Sequence, residues 1–178
     1  MPLHTSPAEP VAFLCAVLAP ADLQAPTVEE LVEHFGPVRE RSGLYPFAFT
    51  DYYEREMGGN LVKEIVSLGD PINPSLLAER KLRTIALEHS LSINGKGDFR
   101  RRVNVDPGLL SLGSLVLATT KSSGHRIAIA PSLYAEVTLL RQQGSYQPFP
   151  WTYEDYQVEP VKSFLECVRQ RLRENRLS

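Results

Sequence analysis

A chain of 178 residues, 43% of them hydrophobic, is long enough for one domain with a real core, which excludes global disorder. Its formal net charge of −2 excludes the uniformly basic surface of a general polyanion binder, but not a local basic patch. Cys15 and Cys167 lack the close cysteine or histidine companions of a metal site. We therefore expect both thiols to be reduced and structural.

The N-terminal residues 1–10 contain three prolines and predict a flexible tail before a single domain over residues 11–178. The apolar run from Val11 to Leu18 lacks the basic flank of a secretory signal. No stretch approaches the roughly 18 apolar residues that span a bilayer. We expect a cytoplasmic protein with no membrane partner.

The first half of the chain predicts alternating strands and helices. Val11–Leu18 reads as a buried central strand. Thr27 and Glu30 form a capping box before a helix that Gly36 ends. A weaker strand signal follows at residues 38–44, and residues 61–68 predict a further strand.

A second helix is predicted to begin at Asn73, with Pro74 in its first turn. Its expected buried stripe consists of Ala78, Leu82, Ile85, Ala86 and His89. Residues 101–105 then predict another strand, so the order to this point is β-α-β-β-α-β.

That order predicts an α+β fold with a ferredoxin-like core, in which both helices cover one face of an antiparallel sheet. Leu109–Ala118 is apolar nearly all round and predicts a buried helix. A hairpin over residues 125–140 and a helix over residues 160–173 complete a helix–hairpin–helix extension whose strands would extend the sheet. The alternative is a larger mixed sheet into which the later strands insert.

Asp106 is the strongest candidate for a catalytic or metal-binding residue, because it stands at the predicted end of a strand. Its carboxylate would bind a metal or accept a proton there. Alternatively, Asp106 caps the following helix, with Pro107 at the first helical position. Asn104 shares the face of Asp106 by strand alternation.

A polar loop over residues 119–126 concentrates hydrogen-bond donors suited to a phosphate or carboxylate group. Its candidate ligand-binding residues are Thr120, Lys121 and Arg126, with His125 as a candidate catalytic residue. The loop is not a Walker A motif, because its glycine follows its lysine.

Glu136 lies diagonally across the predicted hairpin from Arg126, within reach for an ion pair. Strand alternation places His125 on the opposite face. Glu136 is either a base or a simple solvated bridge to Arg126. The histidine and cysteine spacings typical of metal centres are absent, so no metal site is predicted.

Two aromatic segments have both functional and structural interpretations. Asp51, Tyr52 and Tyr53 would line a pocket, or belong to a one-turn helix whose tyrosines pack on the sheet. The segment 146–156, anchored by Trp151, is either a stacking platform or a flap that seals the sheet. A basic cluster would suit RNA or form a solvated helix face; it comprises Arg80, Lys81, Arg83, Lys96, Arg100, Arg101 and Arg102.

Five blocks in order resemble the bacterial proteins of domain of unknown function family 4416. They are FTDYYEREMG (49–58), RRVNVDPG (101–108), LVLATTKSSGHRI (115–127), YAEVTL (134–139) and PWTYEDY (150–156). The resemblance covers nearly the whole chain and implies a single-domain bacterial protein, without an agreed activity, cofactor or catalytic residue. Members are sometimes labelled GTP-binding, but this chain has neither a Walker A loop nor an Asn-Lys-x-Asp motif. It also has Leu109 and Ala128 where the family often has aromatic residues.

Two functions are consistent with these patterns, and whether the protein is an enzyme stays open. The favoured one is binding or processing of a small phosphorylated or carboxylated ligand, for which Asp106, Lys121 and Glu136 must converge in one pocket. The alternative is a non-catalytic module that binds RNA or a protein through exposed aromatic residues beside the basic cluster. The sequence specifies neither a cofactor nor an oligomeric state.

Overall fold

Strand β1 (Val11–Pro20) lies near the middle of a large antiparallel sheet, and every residue in it except Pro20 is buried. It pairs with strand β4 on one side and β7 on the other. In a strand whose two faces are both buried, polar and apolar residues do not alternate, which explains the continuous apolar sequence of β1. The predicted central strand is confirmed.

The computed structural model describes residues 9–95 and 98–177. Its helices are α1 (Ala21–Phe35), α2 (Glu54–Met57), α3 (Leu77–Ser90) and α4 (Glu159–Leu177). The other strands are β2 (Val38–Arg41), β3 (Tyr45–Pro46), β4 (Leu61–Ile72), β5 (Ile93–Gly95), β6 (Asp98–Arg100), β7 (Asn104–Leu110), β8 (Ser114–Thr119), β9 (Ile127–Ala130), β10 (Leu133–Gln142) and β11 (Ser145–Pro148). The large sheet has nine strands in the order β11-β10-β8-β7-β1-β4-β2, with β3 beside β4 and β9 beside β10. Strands β5 and β6 form a separate hairpin.

Helices cover both faces of the sheet. On one face, Phe13, Cys15 and Val17 pack with residues of α1 and α3, among them Leu31 and Leu87. On the other face, alternate residues of β1 pack with α4 in a second core that also takes in Tyr146 and Tyr156. The domain is therefore a three-layer α+β structure with a hydrophobic core on each face of the sheet and a smaller cluster around Leu18 and Phe47.

The predicted ferredoxin-like core is wrong. The sheet has nine strands, and α4 closes the face that a ferredoxin-like sheet leaves without helices. Strands β8 to β11 join the sheet as further members. The alternative of a larger sheet that takes in the later strands describes the structure better, although every strand pair among the described residues is antiparallel and not mixed.

The predicted helix over Leu109–Ala118 is also wrong. Leu109 and Leu110 end β7, and the chain turns back through residues 111–113 into β8. The segment is apolar all round because its strands are buried on both faces: Leu110 belongs to the core under α4, and Leu109 to the other. Continuous burial in a strand and in a helix gives the same short apolar pattern. Asp106 therefore pairs with Ala16 within the sheet and caps no helix.

Other boundaries show mixed agreement. Helix α1 begins at Ala21, so Thr27 lies inside it and donates to the carbonyl oxygen of Leu23 at 2.6 Å; the capping box is wrong. The stop at Gly36 is confirmed, as is the Asn73 cap, whose Oδ1 accepts from the N–H of Ser75 at 2.9 Å. The hairpin of β9 and β10 is confirmed too. Of the predicted tail, only residues 9 and 10 lie in the described range.

Within the described ranges, no helix combines the length and the apolar composition needed to cross a bilayer.

The β7–β8 contact depends on Gly108. A Cβ atom there would lie 2.7 Å from Cδ2 of Leu117 and 2.9 Å from the carbonyl oxygen of Val116. We expect Gly108→Ala to lower the free energy of unfolding by about 1–3 kcal/mol, as overpacking does elsewhere. Urea denaturation measures the change. Gly113→Ala is the matched control, because its nearest contact would be Oγ of Ser111 at 3.9 Å. Equal losses in the two variants would contradict this packing argument.

Candidate functional site

Strands β7 and β8 separate part-way along their length. They pair from Leu110 and Leu115 to Gly108 and Leu117, and no further. Pro107 comes next on β7 and has no N–H with which to extend the ladder. Beyond it, β7 stays paired with β1 up to Asn104 while β8 diverges, so the sheet opens between them.

Side chains of α3 bind the backbone groups that this opening exposes. The N–H of Val105 donates to Oε1 of Glu88 at 2.5 Å. The carbonyl oxygen of Val105 accepts from Nζ of Lys81 at 3.2 Å. Helix side chains thus replace the missing strand partner, because buried backbone polar groups must be hydrogen-bonded.

These contacts reverse the predicted orientation of α3. Its buried residues are Leu77, Lys81, Thr84, Leu87 and Glu88. Leu82, which was expected inside, is 57% exposed. Two charged side chains therefore lie on the inner face of the helix, which is unusual and typical of functional sites.

A cavity of about 860 Å³ occupies the opening, a size typical of small-molecule sites. Residues of α3 line it from one side of the sheet, and the segments around Tyr52 and Trp151 line it from the other. Its charged lining consists of Glu56, Lys63, Lys81, Glu88, Arg101, Asp106, Lys121, Arg126, Glu136, Glu154 and Asp155. Its aromatic lining consists of Phe47, Phe49, Tyr52, Tyr53, Trp151, Tyr153 and Tyr156.

Asp106 is held as a carboxylate on the cavity wall. Burial alone would raise its pKa, but the charges of Lys81 and Lys63 and a hydrogen bond from Asn104 bring that pKa below its usual value. Lys81 Nζ lies 3.4 Å from Oδ1, and Nδ2 of Asn104 donates to Oδ2 at 2.8 Å. Asp106 therefore supplies a fixed negative charge at neutral pH.

Glu88 has the opposite electrostatic character. It is 8% exposed, and burial raises the pKa of its carboxyl group from 4.5 to about 7. The Lys81 charge and the Val105 N–H counteract this rise in part. Two carboxyl groups of one cavity thus differ in protonation near neutral pH, a pattern that marks acid–base sites.

Ion pairs that are buried or half-buried hold most of the remaining charges. Lys63 binds Asp155, and its ammonium lies 4.6 Å from the ring centre of Tyr156. Arg101 binds Glu56 at 2.9 Å and Oδ1 of Asn104 at 2.9 Å. The first pair joins β4 to the C-terminal segment, and Arg101 joins α2 to β7.

Lys121 differs from the other cations. Its Nζ lies 4.6 Å from the ring centre of Tyr52, and no carboxylate of the described residues makes a salt bridge with it. Both side chains are exposed. An ammonium group at the mouth of the cavity is therefore available to an anionic ligand.

Glu136 connects the cavity to a stacked aromatic group. It is 4% exposed, and its Oε2 accepts from Nε of Arg126 at 2.6 Å and lies 3.1 Å from Nε2 of His125. The His125 ring stacks on Trp151 at 4.8 Å between ring centres, and Phe149 stacks on Trp151 at 4.7 Å. The expected Arg126–Glu136 ion pair is confirmed, but it is buried and not solvated.

The prediction that His125 faces away from Glu136 is wrong. Strand β9 begins at Ile127, so His125 belongs to the preceding loop and strand alternation does not apply to it. Its Nδ1 lies 3.0 Å from Oγ of Ser123, which fixes the ring orientation.

Most predicted site residues converge on the cavity. Its lining includes Asn104, Asp106, Thr120, Lys121, Arg126, Glu136, Tyr52, Tyr53 and Trp151. His125 reaches the cavity only through Glu136 and Trp151, and Asp51 does not line it. The catalytic and ligand-binding roles assigned to these residues stay predictions.

Sequence reasoning missed Glu88, Lys63 and Asp155, and it treated Lys81 only as part of a basic surface. Lys63 and Asp155 stand in segments interpreted as a plain strand and an aromatic loop, so only their pairing in the fold reveals them. For α3, a signal existed: Lys81, Thr84 and Glu88 recur at helical spacing and share one face.

The described residues hold no group of three or more histidine, cysteine, aspartate or glutamate side chains arranged to bind a metal ion. Cys15 is buried in the core, and Cys167 is exposed on α4.

The fold and the cavity define a three-layer α+β domain with a large cavity where its sheet divides. The chain belongs to the family described as domain of unknown function 4416, which matches residues 9–172. This confirms the resemblance seen in the sequence blocks. No curated protein and no solved structure matches the chain.

The raised pKa of Glu88 predicts that the free energy of unfolding depends on pH. Its folded pKa of about 7 exceeds the ordinary value of 4.5, so its contribution is complete below pH 4.5 and is lost as the pH rises through 7. We expect the free energy of unfolding of the wild type to fall relative to that of Glu88→Gln by about 3 kcal/mol across this range. Glutamine keeps an oxygen that accepts from the Val105 N–H.

Urea denaturation at several pH values between 4 and 8 measures this difference. Glu30→Gln, on the exposed face of α1, is the matched control and should follow the wild type. A constant difference between wild type and Glu88→Gln over the whole range would contradict the raised pKa.

Proposed function

We propose that this protein binds and processes a small molecule that carries a carboxylate or phosphate group and a flat, unsaturated part. The observation that carries the proposal is the position of Lys121 at the mouth of the cavity. Its ammonium lies 4.6 Å from the ring centre of Tyr52 and makes no salt bridge with a carboxylate of the described residues. The other lysine and arginine side chains lining the cavity lie in ion pairs with Glu56, Asp106, Glu136 and Asp155.

The aromatic lining supports a ligand with a flat part. Both faces of the Trp151 ring are covered, by His125 and Phe149, so the rings that a ligand can contact are those of Tyr52 and Tyr53, which pack edge to face at 5.1 Å. Rings of this kind bind planar groups by stacking and retain polar tips for hydrogen bonds. The Tyr156 hydroxyl on the cavity wall is buried and has no partner among the described residues, so it is available to donate.

Several observations favour this function over an RNA- or protein-binding surface. Lys81 is 5% exposed, and Arg80 lies over the rings of Phe13 and Phe35 at 5.4 and 5.0 Å. Arg101 is tied to Glu56. The basic residues around α3 are thus divided among separate environments, whereas polyanion binding needs a continuous basic surface.

Lys121→Met tests the proposal, because methionine keeps the aliphatic packing on Tyr52 and removes the charge. A thermal-shift screen comes first, with inorganic phosphate, nucleoside monophosphates, sugar phosphates, dicarboxylates, 2-oxo acids and aromatic carboxylates. Calorimetry then gives the Kd of each compound that raises the Tm. We expect Lys121→Met to weaken binding about tenfold or more, the value of a charge-assisted hydrogen bond.

Lys162→Met is the matched control, since Lys162 is exposed on α4 away from the cavity lining. It should bind as the wild type does. Two results would contradict the proposal: a screen in which no compound raises the Tm, or equal weakening by the two lysine variants.

A further inference from the structure

We propose that Glu88 is a general base that removes a proton from a carbon next to a carbonyl group of a carboxylated ligand, and then returns it. The inference rests on the proposed function, because the ligand must first be held in the cavity by its carboxylate. It narrows the substrate class to oxo acids and the reaction to proton transfer at carbon.

The position of Glu88 is fixed by the fold. It lies in the last turns of α3 and lines the cavity where β7 and β8 separate. The Val105 N–H holds Oε1 at 2.5 Å, so the carboxyl group is oriented by a central strand of the sheet. A base built on a helix and oriented by a strand is pre-organised for proton transfer.

The charged groups around Glu88 come from several elements. Lys81 lies two turns earlier on α3, and its ammonium binds the Val105 carbonyl and Asp106. Asp106 faces the cavity from β7, and His89 lines it from α3 itself. Arg101 lines the cavity from the segment before β7 and is paired with Glu56 of α2. Glu88 has no salt-bridge partner among the described residues.

This environment suits a base that works near neutral pH. Burial raises the pKa of Glu88 to about 7 although the Lys81 charge lowers it in part, so this carboxyl group is not locked in its ionised form. Efficient proton transfer requires a pKa close to the working pH. Asp106, with a pKa below its usual value, stays ionised and cannot serve as the acid.

The proton transfer balances within the cavity. The proton passes from the carbon to the Glu88 carboxylate. The electron pair of the C–H bond forms the C=C bond of an enolate, and the π pair of the carbonyl group moves to its oxygen. The positive charge of Lys81 beside this wall stabilises the developing negative charge. Return of the proton to carbon restores the ligand or yields its isomer, without an oxidant or another reactant.

Hydrogen–deuterium exchange in D2O measures this step directly. Pyruvate, 2-oxobutyrate, 2-oxoglutarate and phenylpyruvate are incubated with the protein, and proton NMR follows the signal of the carbon next to the carbonyl group. We expect exchange about 100-fold or more above the buffer rate with at least one of them, a typical contribution of a general base. Glu88→Gln should reduce it to the buffer rate while Kd stays within about threefold, and Glu30→Gln should match the wild type.

The pH profile of the wild type provides a second readout that does not depend on a folded variant. The exchange rate should rise with pH and level off above about 7 as Glu88 ionises. A flat profile between pH 5.5 and 8.5 would overturn the proposal.

The remaining outcomes separate the two proposals. Binding of an oxo acid without exchange above the buffer rate, or exchange that survives in Glu88→Gln, overturns the role of Glu88 and leaves the proposed function standing. Binding of phosphorylated compounds without binding of any oxo acid also overturns the role of Glu88 and leaves the proposed function standing. A screen in which nothing binds overturns both proposals.

Discussion

The missing N–H of Pro107 is the constraint on which the rest of the site depends. Because the ladder between β7 and β8 cannot continue past this residue, the sheet must open there. The backbone of Val105, inside the domain, then needs partners, and α3 supplies them through Glu88 and Lys81. The opening, the buried charges of α3 and the cavity between the layers follow from one local feature of the sequence.

The charges of the cavity hold one another in place. Lys81 connects the Val105 carbonyl to Asp106, Arg101 connects α2 to β7, and Lys63 connects β4 to Asp155 in the C-terminal segment. Burying charged groups is costly unless each has a partner, so removing one member of such a pair leaves the other unpaired in a site of low polarity. Glu88 belongs to none of these pairs, and burial raises its pKa to about 7, against the opposing charge of Lys81.

The sequence predicted many residues of the cavity lining and less of the fold. Most candidate residues, Asp106, Lys121 and Glu136 among them, line one cavity, because polar residues in otherwise apolar surroundings are informative about sites. Leu109–Ala118 was misassigned because complete burial removes the alternation that distinguishes a strand from a helix. The inner face of α3 was also misassigned. A hydrophobic stripe through Leu82 was chosen because the hydrogen-bond partners of Lys81 and Glu88 lie on β7 and are known only from the folded structure.

A crystal structure of the protein with a compound that the ligand screen identifies tests the central claim most directly. The account predicts electron density for the compound between residues 104–107 of β7 and residues 118–121, where β8 no longer pairs with β7. The anionic group of the compound should lie on Lys121. It also predicts that Glu88 still accepts the hydrogen bond of the Val105 N–H. Density elsewhere on the surface, or a β8 strand that pairs with β7 as far as Asn104 and closes the opening, would contradict it.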